Sequence, residues 1–118
     1  MKESNVIVEK SFKFAVRIVN LYKYLIEKKR EFVLSKQVLR CGTSIGANIE
    51  EALGGRTRKD FISTLSIAYR ETRETKYWLK LLREFNYINE KMFVSLYSDC
   101  EEMSKILSSI IISTKDSS

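Results

Sequence analysis

Histidine and proline are absent from this chain, and its 118 residues include only two cysteines and four glycines. Each shortage excludes something. Without histidine there is no Ser-His or Cys-His pair to activate a nucleophile. The same absence, with Cys41 and Cys100 far apart in sequence, removes the usual zinc ligand sets. Two cysteines are too few for a disulfide framework, and both fall on apolar helical stripes, where a free thiol behaves as a small buried hydrophobe. A β-rich domain needs frequent turn residues, so glycine at positions 42, 46, 54 and 55 alone points to long helices. No apolar run approaches the ~18 residues of a membrane span. Lys10, Lys13 and Arg17 interrupt the N-terminal apolar residues that a secretory leader would need. A soluble, cytoplasmic protein with no membrane partner is expected.

What the chain does contain is enough for one globular domain over residues 1–118. Its hydrophobic fraction, 44%, is ordinary for a folded protein and argues against disorder. The net charge of +6 is unevenly placed. Residues 1–88 hold 18 basic and 10 acidic side chains, whereas residues 89–118 hold 3 and 5. Attraction for a polyanion must therefore come from the first three quarters.

Periodicity predicts four helices, at about 5–29, 35–53, 58–85 and 90–112. In the first, Val8, Phe12, Ala15, Val19, Tyr22 and Ile26 repeat at spacings of three and four and form the expected core stripe. Phe14, Ile18, Leu21 and Leu25 make a second stripe beside it, so the apolar face is wider than one bundle core needs. Ser35 is the expected N-cap of the second helix, Val38, Cys41, Ile45, Ile49 and Ala52 its buried stripe, and Gly54-Gly55 its stop. Thr57 caps the third helix, whose stripe runs unbroken through Phe61, Leu65, Ala68, Thr72, Thr75, Leu79 and Leu82. After the connection Asn86–Asn89, the fourth helix aligns Phe93, Leu96, Cys100, Met103, Leu107 and Ile110, and Ser113–Ser118 reads as a frayed tail. Short connections between long amphipathic helices imply an all-α, antiparallel up-down-up-down four-helix bundle.

The segment RCGTSIGANIEEALGGRTRKDFISTLSIA, followed by ETRETKYWLKLL, resembles the bacterial four helix bundle protein family, also called the 23S rRNA intervening-sequence protein or S23 family. The likeness spans roughly residues 32–88, through the SIGANI-E segment, the basic loop after it, KDFI and YWL-LL in order. It implies a left-handed antiparallel bundle that assembles as a homopentamer. It also implies kinship with the accessory protein of diversity-generating retroelements, which binds nucleic acid and a reverse transcriptase. No catalytic residue belongs to the family pattern, so none is carried over.

Several constellations remain to be read from the residues themselves. Gly42 and Gly46 lie on one helical face and let another helix approach closely, at ~1 kcal/mol each in helix propensity. Ser44, Asn48 and Glu51 make a polar stripe that is expected to form a hydrogen-bond network with Tyr69, Arg70 or Arg73 across helices. Arg56, Arg58 and Lys59 crowd the start of the third helix, where their charge opposes the helix dipole unless an anion binds there. Arg70, Arg73, Lys76, Lys80 and Arg83, spaced 3-3-4-3, line one face of that helix, with Glu71, Glu74 and Glu84 nearby. In a ring of five, this stripe would recur five times, and five copies of +6 would carry +30. Tyr69, Tyr77, Trp78, Phe85 and Tyr87 interleave with these cations and can stack on bases, although core or interface packing is the plainer role, above all for Trp78. The neighbouring carboxylates Glu50-Glu51 and Glu101-Glu102 point about 100° apart and make no acid/base couple. A phosphate-cradling glycine loop is lacking. The expected function is therefore non-catalytic, without cofactor or metal: a homo-oligomer that binds RNA or DNA through its basic face. The alternative is a scaffold for a partner protein such as a reverse transcriptase, docked on the Phe14, Ile18, Leu21 and Leu25 stripe.

Overall fold

A few local polar contacts decide where helices begin and end along this chain. In the computed structural model, which describes residues 2–117, they delimit α1 (Lys2–Glu27), α2 (Leu34–Leu53), α3 (Arg58–Glu84) and α4 (Glu90–Asp116). At the start of α3 the Thr57 hydroxyl accepts from the Asp60 N–H at 3.0 Å, and at α4 the Asn89 carboxamide oxygen accepts from the Met92 N–H at 2.8 Å. Both are the side-chain caps that helix N-termini require. Ser35 does not cap α2. It lies inside the first turn, fully buried, while Val33 occupies the cap position without a side-chain bond. The cap comes instead from Glu31, whose carboxylate accepts from the N–H groups of Val33, Leu34 and Ser35 at 3.1, 3.0 and 2.6 Å. An anion on three free N–H groups also complements the positive end of the helix dipole.

The C-termini of α1 and α3 close without glycine. Arg30 and Asn86 adopt left-handed φ values of 53° and 63°, and the residues after them turn back onto the helix, Glu31 N–H to the Leu25 carbonyl at 3.0 Å and Tyr87 N–H to the Leu82 carbonyl at 2.9 Å. At α3 this is the six-to-one closure by which a helix satisfies its last carbonyls, and at α1 the return reaches one residue further back. Gly54 and Gly55 end α2 with no positive φ at either position. The last helix runs to Asp116, so the expected fray at Ser113 is replaced by three further helical residues beyond it.

The helices pack in a cycle, α1 on α2, α2 on α3, α3 on α4 and α4 on α1, with no close backbone contact across either diagonal. No strand occurs among the described residues. The result is a four-helix bundle 48 Å long and about 20 Å across, as expected for helices of ~27 residues at 1.5 Å each. The expected stripes of α2, α3 and α4 are buried, save that Phe61 is only partly covered. The α1 stripe is the exception. Phe14, Ile18, Leu21 and Leu25, joined by Ile7, form its core face, whereas Phe12 is 69% exposed and Val19 39%. The two stripes are adjacent on the helix, and which one turns inward depends on what α2 presents.

Gly42 decides it. A Cβ there would lie 2.8 Å from Ile18 Cγ1 and 2.9 Å from Cγ2, and one on Gly46 would lie 3.3 Å from Ser11 Oγ. Ile18 and Ser11 thus seat against the bare backbone of α2, which turns the Phe14 face inward. Buried hydroxyls of α3 are satisfied within the helix, Thr75 donating to the Glu71 carbonyl at 2.7 Å and Thr72 to the Tyr69 carbonyl at 2.6 Å, and Thr72 also lies 2.8 Å from Ser104 of α4. Both thiols are buried, and burial pushes Cys41 up to about 11 and Cys100 higher still.

Two predictions follow from the packing. Gly42→Ala gains ~1 kcal/mol of helix propensity but forces its methyl into the stem of Ile18, so net destabilisation of about 1–3 kcal/mol is expected by urea unfolding. Gly46→Ala, with looser neighbours, should stay within about 1 kcal/mol of the parent. The thiols add a pH dependence. Their ordinary value is 9.0, and the folded state holds Cys41 protonated to about 11. Between these values the unfolded chain binds fewer protons, so stability is intact below pH 9 and falls as pH rises through that window. The slope is at most about 1.4 kcal/mol per pH unit for each thiol. Replacing both cysteines by alanine should make the alkaline loss shallower than in the parent chain.

Candidate nucleic-acid interface

The third helix carries most of the cations singled out by spacing, and its packing divides them. One flank of α3 meets α2. There Arg40 pairs with Glu74 and lies 3.6 Å from Glu71, and Trp78 Nε1 donates to the Glu74 carboxylate at 3.0 Å. Glu71 and Glu74, two of the three acids beside the basic stripe, are thus engaged on the α2 side. The opposite flank meets α4. There Lys76 and Lys80 lie over the Tyr97 ring, 5.5 and 5.9 Å from its centroid, and the Arg83 guanidinium lies 3.8 Å from the Phe93 centroid. Phe93 and Tyr97 pack on each other, their centroids 5.0 Å apart and their planes tilted by 32°. Arg83 also approaches Glu90 at 3.5 Å. Cations held over aromatic faces keep their charge toward solvent while losing freedom to swing away.

Between these flanks lies the exposed outer row, which meets the α4 flank at Lys80. Arg70, Arg73, Tyr77 and Lys80 recur at spacings of three, four and three, so they share one face. Tyr77 is 55% exposed, its edge packed on Trp78 at 5.2 Å. Neither Arg70 nor Arg73 has a carboxylate within ion-pair distance among the described residues, and the same is true of Arg56, Arg58 and Lys59. Arg56 sits in the α2–α3 connection, with Arg58 and Lys59 in the first turn of α3, all exposed.

The polar stripe of α2 behaves differently from expectation. Asn48 Nδ2 donates to the Ser44 carbonyl at 2.8 Å and to Ser44 Oγ at 2.9 Å, so the pair is closed within its own helix. Glu51 is exposed and stands outside it, and Tyr69, Arg70 and Arg73 bond to none of the three. Asn48 follows Ser44 by one helical turn, which lets it reach back without any partner from α3. Gly42 and Gly46 serve packing. Among the described residues no group of His, Cys, Asp or Glu could hold a metal, and no helix is long and apolar enough to cross a membrane.

Sequence reasoning missed the contribution of α4. Phe93 falls on the core seam of that helix, and Tyr97 stands beside the seam. Their spacing of four, on the helix that follows the basic one, is the signal that could have found them. Also unforeseen was a solvent-open groove of about 610 Å³ on the α3–α4 face, lined by Ser63, Ser66, Ile67, Tyr69, Arg70, Ser108, Ile111 and Ile112.

An all-helical bundle whose outer row carries Arg70, Arg73 and Lys80 without an ion-pair partner among the described residues belongs with small basic bundle proteins. Within that class, the 23S rRNA-intervening sequence protein family model matches residues 3–109, and the chain belongs to this family. It is similar to a crystallised protein of unknown function from the S23 ribosomal protein family of Bacteroides thetaiotaomicron VPI-5482. The two are 53% identical, with a TM-score of 0.92 over 92% of this chain and 97% of that one. No curated protein matches.

The division of cations is testable by stability. Arg83→Met should cost about 0.5–2 kcal/mol, because it removes the guanidinium from the Phe93 face. Arg70→Met and Arg73→Met should stay within about 0.5 kcal/mol of the parent in the same urea titrations, since neither cation has a partner to lose.

Proposed function

We propose that this chain is a non-catalytic, cytoplasmic homo-oligomer that binds RNA or DNA through the outer row of α3. One observation carries the reading: Arg70, Arg73 and Lys80 flank an exposed tyrosine with no carboxylate paired to them, while Glu71 and Glu74 face Arg40 on the other side. Such a row neutralises phosphates and releases their counterions, which gives affinity that is sequence-independent and salt-dependent. Tyr77 offers a face on which an exposed base can stack. Arg56, Arg58 and Lys59 extend the same positive field to the start of α3.

The helices run up-down-up-down. This reading is supported by the pairs Lys10–Glu102 and Arg17–Asp99 between α1 and α4, which advance in opposite senses along the two helices. Assembly, a pentamer in our reading, is supported by the uncovered side of α1, where Phe12, Val16 and Val19 are 69, 47 and 39% exposed, and by Val33 at 70%. A row of large apolar residues this exposed favours contact with another surface. The same row supports the second reading, a scaffold for a partner protein. It replaces the Phe14 stripe as the docking candidate, because that stripe is core.

Filter-binding titrations across salt decide between the readings. Structured RNA or single-stranded DNA should bind at roughly micromolar protein in low salt and weaken steeply as salt rises. The double charge reversal Arg70→Glu/Arg73→Glu should reduce binding at least tenfold, whereas Lys23→Glu on α1 should change it little. Equal losses in the two would remove the site assignment, and no binding of either polymer would end the nucleic-acid reading. Light scattering reporting a monomer would contradict the assembly. A stoichiometric protein partner retained after nuclease treatment would favour the scaffold.

A further inference from the structure

The groove on the α3–α4 face adds something that a basic row alone does not supply. Its volume, about 610 Å³, lies within the range of small-molecule sites. Its floor is apolar, from Ile67, Ile111 and Ile112, and its walls carry the hydroxyls of Ser63, Ser66, Tyr69 and Ser108. The Ser66 hydroxyl donates back to the Ile62 carbonyl at 2.8 Å, while those of Ser63, Tyr69 and Ser108 make no bond within the described protein. Arg70 closes one side with an unpaired guanidinium and is itself the first member of the outer row. Arg73, Tyr77 and Lys80 continue from it, one to three turns further along α3, roughly 5–15 Å at 1.5 Å per residue.

We infer that this groove receives one unstacked nucleotide of a single-stranded nucleic acid whose backbone follows the outer row. The inference rests on the nucleic-acid reading above and narrows it to strands with free bases. Three features of the occupant match three features of the groove. A base has two apolar faces, which suit the isoleucine floor and the Tyr69 ring. Its edge has donors and acceptors, which suit hydroxyls that can do either. Its phosphate is an anion, which suits the Arg70 guanidinium at the point where the groove joins the cationic row. In a duplex the bases are stacked and paired, and only the phosphates can reach the row. A fatty-acid-like amphiphile matches the floor and the arginine but leaves the hydroxyl walls unused, so the nucleotide fits better.

The test uses the full chain and two oligonucleotides of equal length and charge, one with bases and one abasic throughout. A base seated in the groove should make the intact strand bind at least fivefold more tightly than its abasic counterpart. In a Tyr77→Ala background, which removes stacking on the row itself, Ser108→Phe, which fills the groove, should abolish that difference and leave abasic binding unchanged. Ser63→Phe, at an exposed position of α3, serves as the second filling variant should Ser108→Phe fail to fold. Equal binding of intact and abasic strands would overturn the groove and leave the phosphate-binding reading standing. Absence of binding by both strands would overturn the two readings together. A rise in melting temperature with a submicellar fatty acid, lost in the filling variants and unaccompanied by any base-dependent affinity, would assign the groove to an amphiphile and overturn the inference.

Discussion

The bare backbone at Gly42 is the contact on which the rest of the bundle depends. With the Ile18 side chain 2.8 Å from where a Cβ would stand, it occupies space that any other residue at position 42 would fill, and α1 cannot rotate without losing that fit. Fixing α1 by Ile18 sends Ile7, Phe14, Leu21 and Leu25 toward the interior, where they meet Val38, Ile45 and Ile49 of α2 and the stripe of α4. The same rotation sends Phe12, Val16 and Val19 to the surface. A glycine costs ~1 kcal/mol in a helix interior relative to alanine, a small penalty beside the burial of several large side chains at 1.5–3 kcal/mol each. The outward apolar row of α1 is the other consequence of the fit. It cannot be brought inside without expelling the Phe14 stripe.

This dependence explains which parts of the structure were legible in the sequence. The second and third helices each carry one apolar stripe, so periodicity alone identified Val38 to Ala52 and Leu65 to Leu82 as buried. The first helix carries two, and no local rule chooses between them, because the choice is made by residues some 25 positions away on α2. The cap of α2 was hidden for a related reason. Ser35 has the right chemistry for a cap, but Glu31 reaches three N–H groups once Arg30 takes a left-handed φ of 53°, a conformation unusual for arginine and invisible in composition. Thr57 and Asn89, by contrast, act alone on the turn that follows them, and both were readable or nearly so. The polar stripe of α2 was misread in its partners: local reach between Asn48 and Ser44 satisfied what had been assigned to α3.

The candidate site was legible in its cations and not in its anions or rings. Counting charges on α3 gives a mixed face, with Glu71 and Glu74 set against Arg70 and Arg73. Packing separates them. Arg40 draws the two glutamates to the α2 flank, and Phe93 and Tyr97 hold Lys76, Lys80 and Arg83 along the α4 flank. A helix whose acids and bases are interleaved in sequence thereby presents a row of cations with no carboxylate paired to them among the described residues. The separation needs no buried charge, since every ion pair here retains solvent contact and contributes modestly to stability. Its effect is on the field outside the molecule.

That field also constrains how copies can assemble. The bundle is a cycle in which α1 and α3 lie on a diagonal and make no close contact, so the apolar row of α1 and the cationic row of α3 occupy opposite sides. Association through α3 would place like charges against each other, which costs several kcal/mol and would strip Arg70 and Arg73 of water without supplying a counter-charge. Association through the α1 side buries Phe12, Val16 and Val19 instead and keeps the charged rows apart. In our reading of the chain as an oligomer, each added copy would then add its row to a common outward surface, and a polyanion crossing several rows would be held more tightly than by any one. The two readings of function therefore draw on different sides of the same molecule, and the packing that exposes one side leaves the other free.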